Sequence, residues 1–382
     1  MPSLKPCLRL AIAAAAILLG AMPILEATAK QPGVILRVWP LIGGSPDGGK
    51  AFRILYQSTG LKGEPIEVSG AIYIPAGEPP SGGRPVIAYG HPTTGVVDKC
   101  APSLLPNNAG MIFGLKSMLA KGYIVVATDY PGLGTPGIHP YLIGVSEGRA
   151  MLDSVRAAIT LPRSGASNRF VLWGHSQGGH AALYAGELAK SYAPELKLVG
   201  VAAAAPATTL IATFDADQAS AAGKVLSAMA IYSWSNLYGE PASNLVAPDA
   251  LSTYKAIAHD CLNTVSSVLA IFLTERQLEK EQFLKANPAK TPPWEDIMKR
   301  NSPGSWPAGA PVFLAQGTAD SIVRPSITEQ FGKTLCKQGA SVMYVKMPGV
   351  THGAAAKKSV STALQWMDAR FRGEPAPSVC CR

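Results

Sequence analysis

"RFVLWGHSQGGHAALYAGELA", residues 169–189, joins a short apolar run to an Ala- and Leu-rich segment through Gly174-His175-Ser176-Gln177-Gly178-Gly179. Phe170 to Trp173 read as a buried strand, and the segment after Gly179 reads as a helix. A Gly-x-Ser-x-Gly match alone is weak, because chance gives roughly 0.3 matches in a chain this rich in glycine. Its setting decides the reading. A strand that must turn at once into a helix needs glycines where backbones pass closely. A serine at such a turn is lifted clear of the sheet, and the helix start behind it favours negative charge. The stretch therefore predicts an α/β fold that presents a serine nucleophile.

The neighbouring sequence agrees. "AFRILYQSTG" and "IEVSGAIYIPAG" read as an opening antiparallel pair around a Gly-rich turn. "RPVIAYGHPTTG" and "YIVVATDYPGLG" are buried strands. "NAGMIFGLKSMLAKG" reads as a helix with a glycine stop, and "SEGRAMLDSVRAAITL" as a helix capped by Ser146. "KLVGVAAAAP" is the strand after the elbow helix. Continuous apolar strands alternating with helices predict a mostly parallel sheet covered on both faces. The alternation stops near residue 207. "ASAAGKVLSAMAIYSW", "LSTYKAIAHDCL" and "SVLAIFLTERQLEKEQFLK" are helical, and alternation returns at "APVFLAQGTAD" and "SVMYVKMPGVTHG". The expected organisation is a first core segment at 30–206, a helical cap insertion at 207–305 and a second core segment at 306–382.

A serine hydroxyl needs a base. His175 and His180 flank the elbow itself, and His259 lies in the insertion. His352, in "MPGVTHGAAA" after the last strand, can fold back over the carboxyl end of the sheet, and is the expected general base. Asp320, in "VFLAQGTADSIVRP", follows the penultimate strand and is the expected acid that orients it. Asp215 and Asp217, after "KLVGVAAAAP", are its rivals, and Asp260 and Asp296 lie in the helical insertion. The order Ser176, Asp320, His352 is the one expected of this fold. For an oxyanion, the first expected donor is the N–H of Gln177. The second comes from His91-Pro92-Thr93-Thr94-Gly95; Pro92 has no N–H, Thr94 is chosen and Thr93 is held in reserve. Asp129 and Tyr130 either line the pocket or belong to a structural turn.

The chain has 382 residues, 47% hydrophobic and 15% charged, which excludes a disordered protein. Lys5 and Arg9 precede an apolar run from Leu10 to Ile24, and Ala27-Thr28-Ala29 has the form of a cleavage site. Residues 1–29 thus read as a secretory signal peptide, predicting a secreted or periplasmic protein. The net charge of +9 is little changed by their removal; it is compatible with solubility or with transient contact with an anionic lipid surface. No arginine-rich run or nucleic-acid motif is present, and a monomer is expected. Five cysteines remain: Cys100, Cys261, Cys336, Cys380 and Cys381. Without C-x-x-C spacing they point to two disulfides and one spare thiol, with Cys380-Cys381 supplying one partner and the spare.

Three stretches, "YGHPTTGVVDKCAPS" (89–103), "ATDYPGLGTPGIHPYLIGVSEGRAMLDSVRAA" (127–158) and "LWGHSQGGHAALYAGELA" (172–189), resemble the secretory lipase family of α/β-hydrolases. "GTADSIV" and "GVTHG" fall at the other two triad positions. Pro92 stands where many relatives have glycine. The resemblance implies an α/β-hydrolase fold with a helical cap, and hydrolysis of small-molecule or lipid esters without a metal or organic cofactor. It implies Ser176, Asp320 and His352 as nucleophile, acid and base, with the oxyanion position at or near Thr94. It also implies disulfides Cys100–Cys261 and Cys336 with Cys380 or Cys381. An acyltransferase using the same acyl-enzyme, and a non-catalytic binding protein on the same scaffold, are the alternative readings.

Overall fold

The computed structural model describes residues 31–216, 220–262 and 282–380. Residues 1–29, Asp217, Cys381 and most of "SVLAIFLTERQLEKEQFLK" lie outside them. Nine strands form one sheet: β1 (Ile35–Pro40), β2 (Lys50–Thr59), β3 (Pro65–Ile74), β4 (Arg84–Gly90), β5 (Ile124–Thr128), β6 (Ala166–His175), β7 (Lys197–Ala204), β8 (Val312–Gly317) and β9 (Val342–Met347). Their order is β1-β2-β3-β5-β4-β6-β7-β8-β9. β4 to β9 run parallel, and β1 to β3 form an antiparallel edge joined to β5. The elbow strand β6 lies inside the sheet, between β4 and β7.

The apolar runs alternate between two covered faces, as the two-residue period of a strand requires. Phe170 and Leu172 of β6 join one core with Val86 and Ala88 of β4. Val171 and Trp173 join the other with Ile87 and Tyr89. The first face is covered by α2 (Gly144–Thr160), α3 (Gln177–Tyr192) and α8 (Pro325–Lys337), the second by α1 (Leu115–Ala120) and α9 (His352–Phe371). Between β7 and β8 run α4 (Leu210–Ala216), α5 (Ala221–Tyr238), α6 (Leu251–His259) and α7 (Trp294–Arg300). Their buried side chains, Trp234 and Trp294 among them, form a third apolar cluster with Val96, Tyr141, Leu142 and Ile143. This is an α/β-hydrolase fold.

Two expectations need correction, and one strand had gone unread. β1 was not foreseen: it is an edge strand whose last four residues are exposed, so no alternation marks it. "NAGMIFGLKSMLAKG" forms a 3-10 turn at Asn108–Met111 and a helix only from Leu115, because Gly114 adopts φ 90° and breaks the run. Ser146 is not a cap. The helix begins at Gly144, whose N–H donates to Asn301 Oδ1 at 3.1 Å, while Glu147 Oε1 accepts the Leu142 N–H at 2.9 Å.

Candidate active site

The turn at Ser176 is as tight as its sequence suggests. A Cβ on Gly174 would lie 2.0 Å from the Gly178 carbonyl oxygen, and one on Gly178 would lie 1.9 Å from the Gly90 oxygen. Only glycines let β6, β4 and the first turn of α3 approach so closely. Ser176 itself has φ 56°, a strained conformation for a residue with a Cβ. It is held by its N–H donating to Ala204 at 3.0 Å and by its carbonyl accepting from His180 N–H at 3.0 Å.

His352 is the first residue of α9 and Asp320 follows β8. The two loops are stitched together. The Thr318 N–H donates to the Met347 carbonyl, the Ala319 N–H to the Val350 carbonyl, and the Gly349 N–H to Thr318 Oγ1. Across this junction His352 Nδ1 lies 2.9 Å from Asp320 Oδ2, and His352 Nε2 lies 2.9 Å from Ser176 Oγ. Side chains 176 residues apart in sequence thus meet at the carboxyl end of the sheet. Burial alone would raise the Asp320 carboxyl. Hydrogen bonds from His352, Gln316 and the Val323 N–H outweigh it and hold the group below its ordinary value. Oδ1 of Asp320 accepts the N–H groups of Ile322 and Val323, so the acid also shapes the wall beside the serine. Asp215 and Asp296 are bonded elsewhere. Asp215 accepts from Asn287 Nδ2 and pairs with Lys290, and Asp296 pairs with Lys299.

His175 plays a part that the sequence did not indicate. Its ring is buried, with its centroid 4.9 Å from that of His352, and its Nε2–H donates to the His352 carbonyl at 3.0 Å. Burial, reinforced by the adjacent His352, pushes its pKa down to about 3. The ring therefore stays neutral and adds no charge beside His352.

A narrow cavity of about 30 Å³ opens beside Ser176. Its walls are mainly apolar: Leu142, Ala207, Phe214, Leu226, Ile322 and Val323. Gln177 lines it too, as N1 of α3, where a helix leaves N–H groups without partners in its own ladder. Thr94 is fully buried in the loop after β4. Its carbonyl accepts the Leu262 N–H, its Oγ1 has no partner, and it is not among the cavity-lining residues. Thr93 Oγ1 instead lies 2.9 Å from the hydroxyl of Tyr141, which does line the cavity. Asp129 belongs to a structural turn: its carboxylate accepts from the Ser69 hydroxyl and from the N–H and hydroxyl of Ser103. The Tyr130 hydroxyl donates to the His91 carbonyl.

The disulfides are Cys100–Cys261 and Cys336–Cys380. The first ties the Thr94 loop to the end of α6. Among the described residues, no group of three or more His, Cys, Asp or Glu could hold a metal, and no helix is long and apolar enough to cross a membrane.

Comparison with known proteins gives the same picture. Candida albicans Lipase 10 is 30% identical over 281 residues, 69% of this chain; the alignment spans 59% of that protein. A probable inactive lipase of Mycobacterium tuberculosis is 24% identical over 368 residues, 90% of this chain and 79% of its own. Among solved structures, Candida antarctica lipase A in its closed state superposes with a TM-score of 0.77 at 22% identity, covering 94% of this chain and 86% of that one. The rice cell wall degrading esterase LipA of Xanthomonas oryzae gives 0.75 at 22% identity, covering 89% and 100%. The secretory lipase family model matches residues 108–378, a span that holds Ser176, Asp320 and His352, and the chain belongs to that family.

Proposed function

We propose that this protein is an exported serine hydrolase that cleaves carboxylic esters through an acyl-enzyme. The observation that carries the reading is the unbroken contact from Asp320 through His352 to Ser176 on a strained elbow. His352 Nε2 takes the Ser176 proton as Oγ attacks the ester carbonyl, and Asp320 stabilises the imidazolium that results. The Gln177 N–H holds the developing oxyanion, with a second donor from the Thr94 loop. His352 returns the proton to the leaving alcohol. Water deprotonated by the same ring then releases the acid and restores Ser176. The family, the two disulfides and the signal-like sequence at residues 1–29 support export to an oxidising compartment. The apolar cavity favours short acyl chains.

Hydrolysis of p-nitrophenyl esters from C2 to C16, comparing the wild type with Ser176→Ala, tests this. The expected result is turnover of short esters by the wild type and a fall of at least about a thousandfold in the variant. A fluorophosphonate probe should label the wild type at Ser176 only. A folded wild type that neither turns over esters nor takes the label would be a binding protein on a hydrolase scaffold.

A further inference from the structure

The elbow rests on a charged cluster that takes no direct part in the chemistry above. Glu147, on α2, is fully buried beneath the first turn of α3. Its Oε1 accepts from Gln177 Nε2 at 2.7 Å and from the Leu142 N–H at 2.9 Å. Its Oε2 lies 2.8 Å from His180 Nδ1. His180 Nε2 lies 2.7 Å from the Asn301 carbonyl, so both of its ring nitrogens face acceptors. His139 faces the carboxylate from the other side, with Nε2 3.5 Å from Oε1, and its ring stacks on Tyr130. The His139 Nδ1–H donates to the Pro131 carbonyl at 3.0 Å, which leaves Nε2 to accept from Gln177 Nε2 at 2.7 Å.

Both amide hydrogens of Gln177 are thereby used, one on Glu147 and one on His139. The side chain cannot turn over without setting its oxygen against the carboxylate. Gln177 also carries the backbone N–H assigned to the oxyanion in the proposed mechanism, and its neighbour Ser176 is strained. A strained turn keeps one geometry only if its surroundings over-determine it. A buried carboxylate bonded by Gln177, Leu142 and His180 does that, whereas removing one member would leave the rest unpaired. The same cluster reaches the end of the insertion, because Asn301 contributes its carbonyl to His180 and its side-chain oxygen to Gly144.

We propose that Glu147 is a positioning residue for the serine chemistry: it fixes the Gln177 side chain and, through it, the backbone N–H that must meet the oxyanion. The inference rests on the hydrolase reading above. It requires Glu147 to act on turnover rather than only on stability, and to act through Gln177.

The test is a double-mutant cycle on the full chain with p-nitrophenyl butyrate, using Glu147→Gln, Gln177→Met and both together. Gln177→Met keeps the volume and the backbone N–H but removes the amide. Each single variant should lower kcat on the order of tenfold with KM little changed, since a displaced donor weakens transition-state binding more than substrate binding. The double variant should fall no further than the worse single one. The fluorophosphonate labelling rate should fall in parallel, and Glu147→Asp should recover part of it. If Glu147→Gln does not fold, Gln177→Met decides alone: an unchanged kcat overturns the proposal. Additive losses, or losses confined to thermal stability, also overturn it while the hydrolase reading stands. A wild type without turnover or labelling defeats that reading and the inference together.

Discussion

At the scale of single residues, the site depends on which groups hold charge. His175 shows how burial sets that. Its folded pKa of about 3 lies below the value of about 6.5 expected in an unfolded chain. Between those values the unfolded state binds one more proton than the native state, so stability rises with pH across the window. The contribution is fully retained above about pH 6.5 and is lost as pH falls, by about 1.4 kcal/mol per unit for this one group. Urea unfolding of the wild type at pH 7, 6 and 5 should show this slope, and His175→Gln should lack one proton's share of it. Equal slopes in the two proteins would mean that His175 takes up a proton in the folded state. The meeting of Ser176, His352 and Asp320 was legible at this scale because the serine-hydrolase reading demands particular residue types in a fixed chain order. Glu147 was not, since an acid inside an amphipathic helix pattern looks like any solvated residue until its buried partners are known. His175 was visible only as part of the motif, because its role depends on a carbonyl 177 residues away.

At the scale of elements, parallel strands such as β4, β5 and β8 could be read because they are buried on both faces and are therefore almost continuously apolar. The edge strand β1 and the broken helix before β5 could not, because exposure and a left-handed glycine decide them rather than periodicity. The disulfides separate two jobs that elements perform. Cys100–Cys261 closes a loop of 161 residues and Cys336–Cys380 one of 44, and loop entropy alone assigns them about 5 and about 4 kcal/mol. Their surroundings differ more than these figures. A Cβ on Gly95 would lie 2.5 Å from Cys100 Sγ, and the Leu262 N–H, next to Cys261, holds the Thr94 carbonyl. The second bridge joins α8 to the C-terminal segment, whose Val379 N–H also donates to the Val342 carbonyl of β9. Replacing either pair with serines should lower the unfolding free energy by about 2–5 kcal/mol. Only loss of Cys100–Cys261 should also lower kcat/KM for a short ester under conditions where both variants are folded. Equal kinetic losses would show that the Thr94 loop does not depend on its staple.

At the scale of the whole molecule, helices between β7 and β8 line the cavity beside Ser176. The cavity holds about 30 Å³, room for one or two waters, whereas sites for drug-sized ligands run to several hundred. Its outer wall is built from α4 and α5, through Phe214, Gly223, Leu226 and Ser227, and its inner wall from the core. Phe214 also packs against Trp234, so shortening it would cost stability along with selectivity. Leu226 is only half-buried, which makes it the cleaner probe of the wall. Truncating it to alanine removes about three carbon atoms from the acyl path, and each methylene in an apolar pocket is worth about 1 kcal/mol or more of discrimination. The wild type should therefore prefer p-nitrophenyl acetate or butyrate, and Leu226→Ala should move the optimum in kcat/KM toward longer chains by about two to four carbons. The shift should appear in relative kcat/KM across the series, with turnover of the acetate nearly unchanged, because the triad and Gln177 are untouched. If the wild type already prefers C12 to C16 esters, the wall between α4 and α5 must open during turnover, and Leu226 would lie outside the acyl path.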